Sequence, residues 1–515
     1  MIFFVNEYLL AMNSGIEHTQ LKRLRLFKEK KQPAKIVTRD FDPLLEHNIQ
    51  RLGFESEDVI NLYNYFRNFK RPENGPKFIK YMDKKIVDLQ LPDTYEIKYD
   101  SQFWKVFNHG NLIACIYFID NQLYYIVYFD SFGKVVKKID YDLEGYKVRE
   151  QNYDALGNIN VEFYFYKNGD KMLEENYFYN DRNENYAIQC QLFGYKNKSY
   201  LFNSIDNFMS FFLDQLNEDY EGKNIFIADR PVVTDKAIAL MQTKAKKILA
   251  IPTQHALDPT DQRFSNLNNI YYYGLHQYVN KFSAILTDTE NQKQDLQEWF
   301  GNKITVPIYS ISAAISFRKK ANVNFNNKIS IKNIVYSGHL ESDKQLDNML
   351  EAFANLYKLQ PVTLTIYGYG SQKKNLENKA VELGLSKSIT FKGYTLNKDE
   401  IYKDKDLFWY TSISDAQPLS ILEALERGIP VIAYDSLYGP NEMIQNGVNG
   451  YLVKLNNQDE LVSVTNSLFN DEKKLLSLKN NCFSTIEKFS SNSIWSKWQK
   501  LINDLLKEDD SNANN

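Results

Sequence analysis

Residues 414–435 read SDAQPLSILEALERGIPVIAYD, and this stretch decides the fold. Proline ahead of an apolar run marks a helix start, because its missing N–H would have no intrahelical partner there. Leu419, Ile421, Leu422, Ala424 and Leu425 predict a helix over 419–427, and the run 430–434 predicts a strand. Two acids interrupt the apolar pattern. Asp415 falls in the loop before the helix, and Glu423, eight residues on, lies one turn inside it. A carboxylate among leucines needs a partner or a ligand hydroxyl to offset its burial. The free N–H groups near Leu419 and Ser420 offer a contact for an anion.

Outward from this stretch, residues 316–490 alternate strand and helix. Strands are predicted over 332–336, 362–367, 389–391 and 407–410, with a helix over 344–357 and another after Gly368-Tyr369-Gly370. Such alternation implies a parallel sheet with helices on both faces, and ligands bind outside the carboxyl ends of its strands. At one such end the segment SGHLESDK, 337–344, places His339 and Lys344. A lysine at a helix start opposes the helix dipole, so an anion is expected to offset it. The segment YGPNEMIQNGVNGYLV, 438–453, reads as a turn, a short helix and a hairpin with a structural role. A closing helix over 491–508 carries Trp495 and Trp498, and residues 509–515 read as a disordered tail.

The N-terminal part is also α/β. Strands over 2–5 and 35–38 flank a helix over 15–31, with Ile16, Leu21, Leu24 and Phe27 on one face. The same pattern returns as strands over 224–228, 247–251 and 284–287, with Thr234 expected to cap a helix running to 243. One α/β domain, 1–75 and 205–315, is therefore expected to be interrupted by an insertion, 76–204. Within the insertion Asp130-x-x-Gly133, Asp142-x-x-Gly145 and Asp154-x-x-Gly157 recur every 12 residues, each after an aromatic residue, and Gly169 keeps the register. Asp and Gly supply turn geometry, and the residues between suit one strand, so an antiparallel β-meander with cross-strand aromatic pairs is expected. At the first strand-to-helix junction, Ser14 and Gly15 lie in NSGIE, 13–17. A glycine there lets backbone N–H groups approach a phosphate; the plainer reading is a turn.

Composition narrows the classes. The 515 residues carry a net charge of −3, which disfavours an obligate nucleic-acid binder. Cys115, Cys190 and Cys482 lie far apart, so neither a disulfide framework nor a zinc site is suggested. No run of about 18 apolar residues is present to insert stably in a membrane. The opening MIFFVNEYLLAMNSG is a poor signal peptide, and a cytoplasmic location is expected. The aromatic insertion, with exposed sheet edges, favours a homo-oligomer.

In this order, the four junction segments resemble the retaining GT-B glycosyltransferases of the family-4 type. The N-terminal segment NSGIEHTQLKRLRLFKEKKQPAKIVTRDFDPLLEHNI, 13–49, is similar to the bacterial enzymes that glycosylate serine-rich surface adhesins, Ser-Asp repeats in particular. Wall teichoic acid glycosyltransferases are nearby relatives and carry a β-rich insertion. The resemblance implies two doubly wound Rossmann-like domains and metal-independent, UDP-sugar-dependent hexosyl transfer without a cofactor, from UDP-N-acetylglucosamine or UDP-glucose. The implied acceptor is a Ser-Asp-rich or serine-rich adhesin polypeptide. It further implies that Gly15 meets the donor diphosphate, Lys344 neutralises it, Glu423 holds the ribose hydroxyls and Asp415 contacts the sugar. His255, in PTQHALDP, matches a histidine near the sugar, and Tyr394 matches the uracil-binding stretch. Two positions depart from the pattern: His339 stands where the family usually has Arg, and Asp415 where it has Glu. These departures keep open a non-catalytic adhesin-binding subunit, and the relatives keep open a teichoic acid acceptor. Lys22, Arg23, Arg25, Lys28, Lys30 and Lys31 are either a groove for an acidic peptide or a solvated face.

Overall fold

The computed structural model describes residues 1–68, 94–100, 103–119, 122–142, 144–258, 265–318 and 332–512. Ile2–Asn6 is buried at every position, which suits a strand covered on both faces. It lies inside a seven-stranded sheet in the order Ile308–Ser310, Ala284–Thr287, Lys246–Ile251, Ile225–Ala228, Ile2–Asn6, Ala34–Thr38, Val59–Asn61, paired parallel throughout. Alternate residues feed opposite cores. Phe3, Val5 and Val37 join one cluster, while Ile2, Phe4 and Ile36 join another.

A second sheet, of six parallel strands, follows the order Ile389–Gly393, Val362–Tyr367, Lys332–Ser337, Leu407–Tyr410, Val431–Tyr434, Gly450–Val453. The chain then crosses back. Helix Ser491–Asn512 places Ile494, Trp498, Leu501 and Leu505 in the core of the first sheet, and Phe27 meets Trp495 and Trp498 edge-on at 5.3 and 5.4 Å. This helix runs through residues 509–512, where the sequence suggested a disordered tail. Residues 513–515 of that expected tail lie outside the described residues.

Between the two halves of the first sheet stands a ten-stranded antiparallel sheet, strands in sequential order from Glu96–Tyr99 to Lys198–Phe202. Its turns follow the 12-residue repeat. The Gly133 N–H donates to the Asp130 carbonyl, and Asp130 Oδ1 accepts from the N–H groups of Phe132 and Lys134, both at 2.9 Å. Asp142 and Asp154 do the same. Gly133, Gly145, Gly157 and Gly169 have φ of 77, 84, 87 and 89°, the left-handed region where a side chain is strained. A later turn escaped the repeat: Asn180 takes the aspartate's place and Asn183, at φ 63°, the glycine's. The aromatic residues do pair across strands, as Tyr117 does with Tyr125 at 4.3 Å. The sheet is fastened to the first domain through Tyr63, stacked on Tyr164 at 4.4 Å. Arg67 adds hydrogen bonds to Asp142 and to the Phe165 carbonyl.

Other helix boundaries also differ from the sequence reading. The helix after Thr234 is Asp235–Leu240, and the Thr234 hydroxyl donates back to the Arg230 carbonyl instead of capping it. Lys344 ends a 3₁₀ turn, Ser342–Lys344; the left-handed Gln345 separates that turn from helix Leu346–Leu359.

Candidate active site

The loops leaving the carboxyl ends of both parallel sheets face one another across a cleft of about 420 Å³. That volume is in the range of small-molecule sites. From the first domain come Ser14, Gly15, His18, Thr253 and Asp288; from the second come His339, Lys344, Tyr394, Asp415, Leu419, Ser420 and Glu423.

The floor depends on close backbone packing. The Gly338 N–H bonds the Tyr367 carbonyl and the Leu340 N–H bonds that of Tyr369. Gly368 and Gly370 have φ of 142 and 159°, and a Cβ on either would collide with the carbonyls of Gly338 and Leu340. Across the cleft, Ser14 caps helix Gly15–Glu29. Its Oγ accepts from the Ile16 N–H at 3.3 Å, and Glu17 accepts from the Ser14 N–H at 2.8 Å. Beyond its chain neighbours and its own helix backbone, no atom lies within 4 Å of a Cβ built on Gly15. Neither internal packing nor a left-handed backbone therefore requires glycine here.

Lys344 has the anions its position called for. Its Nζ lies 2.8 Å from Asp343, 2.9 Å from Asp415 Oδ2 and 3.3 Å from Ser412 Oγ. Burial would lower its pKa, but Asp415 and Asp343 reverse the direction and raise it. Asp415 also accepts a hydrogen bond from the Tyr410 hydroxyl. Its backbone pairs with 437–438, where the Tyr438 N–H donates to the Asp415 carbonyl at 2.8 Å. The 438–453 segment thus holds the Asp415 loop, in keeping with its structural reading.

Glu423 is buried on Leu419–Leu425. Burial alone would raise its pKa; Lys398 at 3.0 Å and Lys22 at 3.6 Å overcome this and take it down to about 2. The Tyr402 hydroxyl donates to it at 3.3 Å. His339 lines the cleft with its ring 5.0 Å from that of Tyr369. Burial and the charge of Lys344 both lower its pKa, which disfavours the charged imidazolium. Tyr394 stands edge-on to Tyr369 at 5.5 Å, its hydroxyl 3.3 Å from His18 Nε2. Leu419 and Ser420 are the first residues of their helix and line the wall.

His255 does not join this lining. It is fully buried, its ring 6.3 Å from that of Tyr438 and 6.5 Å from that of Trp299. The basic run is also no single groove. Arg23 is buried against Asp229 at 2.8 Å, Lys28 pairs with Asp58, Arg25 with Glu29, and Lys22 turns to the cleft. Helical spacing distributes these residues around the helix.

Several lining residues escaped the sequence reading. His18 lies three positions after Gly15, so helical periodicity carried a signal for it. Burial lowers its pKa to about 4. Lys398 starts the short helix Lys398–Tyr402, and no pattern marked it. Asp288 follows strand Ala284–Thr287, with its pKa raised to about 7 by burial.

Two parallel α/β domains with their strand ends facing across one cleft define a GT-B protein. Residues 318–484 match the family model Glycosyl transferases group 1, so the match falls on the second α/β domain. A UDP-N-acetylglucosamine–peptide N-acetylglucosaminyltransferase GtfA subunit from Streptococcus parasanguinis is 23% identical, over 98% of this chain and 100% of its own length. A poly(ribitol-phosphate) α-N-acetylglucosaminyltransferase from Staphylococcus aureus is 24% identical, over 98% and 99%. The pneumococcal O-GlcNAc transferase GtfA, solved with UDP and GlcNAc, superimposes with a TM-score of 0.81 at 19% identity, covering 98% of this chain and 99% of that one. A chain of a GtfA/B complex superimposes with a TM-score of 0.73 at 19% identity, over 98% and 99%. Among the described residues no helix is long and apolar enough to cross a membrane.

Proposed function

We propose that this chain transfers N-acetylglucosamine from UDP-N-acetylglucosamine to serine hydroxyls of Ser-Asp-rich or serine-rich polypeptides in the cytoplasm, with retention of configuration. The observation that carries the reading is the convergence of Gly15, Lys344, Asp415 and Glu423, from both domains, on one cleft. The full-length relative named for peptide transfer supports the acceptor class.

In this reading Glu423 accepts hydrogen bonds from the ribose hydroxyls, and Tyr394 lies beside the base. Lys344 and the N–H groups at the start of helix Gly15–Glu29 take up the charge of the departing diphosphate, a preorganised electrostatic role. The bond from the anomeric carbon to the phosphate oxygen breaks. The serine oxygen bonds to that carbon on the same face, and its proton passes to the leaving phosphate oxygen. Asp415 orients the sugar. His339 contributes a hydrogen bond.

The test is UDP release from UDP-N-acetylglucosamine with a Ser-Asp-repeat peptide, with polyribitol phosphate, and with neither, beside Glu423→Ala. Peptide-dependent release lost in the variant supports the reading. Polymer-dependent release transfers it to the teichoic acid class, and peptide binding without release makes the chain a non-catalytic subunit. Self-association belongs to the same reading. The GtfA/B likeness makes a second, different chain the other outcome of a mass measurement in solution.

A further inference from the structure

Glu423 is reached from two domains. Lys398, on its own domain, lies 3.0 Å from Oε2, and Lys22, on the first helix of the other domain, lies 3.6 Å from Oε1. One cation thus stands at each carboxylate oxygen. Lys22 is one helical turn beyond His18, whose ring approaches Tyr394 of the second domain. The same helix face therefore crosses the cleft twice. Lys22 is 21% exposed and Lys398 33%, against 9% for Glu423, so the lysines cover the acid from the solvent side. The other groups around the carboxylate are the Tyr402 hydroxyl, which donates to it, and the Arg427 guanidinium, which bonds the Glu423 carbonyl.

We propose that Lys22 and Lys398 are positioning residues that hold Glu423 as a carboxylate with both oxygens available to a vicinal diol, the ribose of the donor nucleotide. The proposal rests on the donor reading above. A protonated acid would present one donor and a weaker acceptor, and burial favours that form unless cations oppose it. Because Lys22 belongs to the first domain, the diol contact on the second domain is complete only with both domains in place. Burial holds the His18 pKa down, and Lys398 and Lys22 contribute to that, so the variant lacking both lysines is also compared in a His18→Gln background to remove this second titration.

The experiment is calorimetric binding of UDP and of 2′-deoxy-UDP to the full-length protein between pH 5 and 8. The proteins compared are wild type, Lys22→Met, Lys398→Met, the double variant, both Arg replacements and Glu423→Gln. Wild type is expected to prefer UDP over the deoxy compound by about tenfold, the value of one good charge-assisted hydrogen bond. In Glu423→Gln that preference is lost. Relative to wild type at each pH, the double variant is expected to lose about tenfold in UDP affinity between pH 8 and 5, approaching Glu423→Gln, while the Arg replacements restore the wild-type profile. A loss equal at every pH would place the lysines on the ligand itself and overturn the proposal, as would an unchanged profile. If wild type fails to bind UDP, or Glu423→Gln binds both compounds as wild type does, the donor reading fails first.

Discussion

Lys344 and Asp415 are ion-paired at 2.9 Å on the floor of the cleft, and Asp343 shares the same ammonium at 2.8 Å. The cation assigned to the diphosphate is thus already engaged by two carboxylates. An arriving phosphate must compete with Asp415 for it. Lys344→Met is therefore expected to cut transfer about 10²- to 10³-fold, the usual loss for a group that meets developing charge. Asp415→Asn removes the competitor, so UDP affinity should hold or rise while turnover falls. Binding and UDP-release assays on both variants check this; weaker UDP binding in Asp415→Asn would contradict it.

At Gly15 no neighbour occupies the space a side chain would enter, and the backbone is not left-handed. Gly15→Val should leave the thermal midpoint nearly unchanged, a stability effect within about 0.5 kcal/mol, as for other substitutions away from packed features. If the helix start receives the diphosphate, the same variant should weaken UDP at least about tenfold by blocking approach to the N–H groups. Equal UDP affinity in variant and wild type would return Gly15 to a plain turn.

Sequence and structure part company for identifiable reasons. The two parallel sheets were legible because strands such as Ile2–Asn6 and Leu407–Tyr410 are buried on both faces and read as continuous apolar runs. The meander was legible because Asp130, Asp142 and Asp154 sit where a turn needs an acceptor and Gly where it needs positive φ. The turn at Asn180 uses a different pair of residues for the same geometry, so the repeat alone could not show it. In the cleft, residues tied to local grammar were readable: Ser14 as a cap, Glu423 as an acid in an apolar helix. Lys398 and Asp288 line the cleft, and Lys22 reaches Glu423 from the first helix, because separate elements converge there, and no local pattern records that. His255 shows the reverse case, a residue singled out in a motif that packs into the interior.

His18 gives the cleft an acid limit on stability. Burial lowers its pKa from 6.5 to about 4, with Lys398 and Lys22 opposing a further charge beside them. The unfolded chain therefore takes up this proton first. Stability is retained above pH 6.5 and is lost as the pH falls from there towards 4, by at most about 3 kcal/mol for this group. Denaturation of wild type and His18→Gln at pH 7.5 and 4.5 isolates it. The variant should lose less on acidification. An identical loss in both proteins would remove His18 as the cause.

Where the ten-stranded sheet meets the first domain, Glu175 and Glu162 are buried together, 1% and 3% exposed. Tyr63 donates to Glu175 at 2.8 Å, Tyr164 to Glu162 at 2.6 Å, and the Tyr177 hydroxyl lies 3.1 and 3.2 Å from the two acids. Burial, then the charge of Glu162, pushes the Glu175 pKa well up from the usual carboxylate range. The folded state keeps a proton that the unfolded chain releases near its ordinary pKa. Stability from this group is complete below the ordinary carboxylate pKa and declines as the pH rises from there to the folded value. Glu175→Gln mimics the protonated form at every pH and preserves the acceptor for Tyr63. It should therefore stabilise the protein at pH 8.5 relative to wild type, on the order of 1–3 kcal/mol, with a clearly smaller effect at pH 5.5 and none below about pH 4. Because Tyr63 belongs to the first domain, the gain should appear as slower proteolysis at the joint between sheet and domain as well as in the unfolding midpoint. A difference between the two proteins that is the same at both pH values would show that the carboxyl does not titrate there.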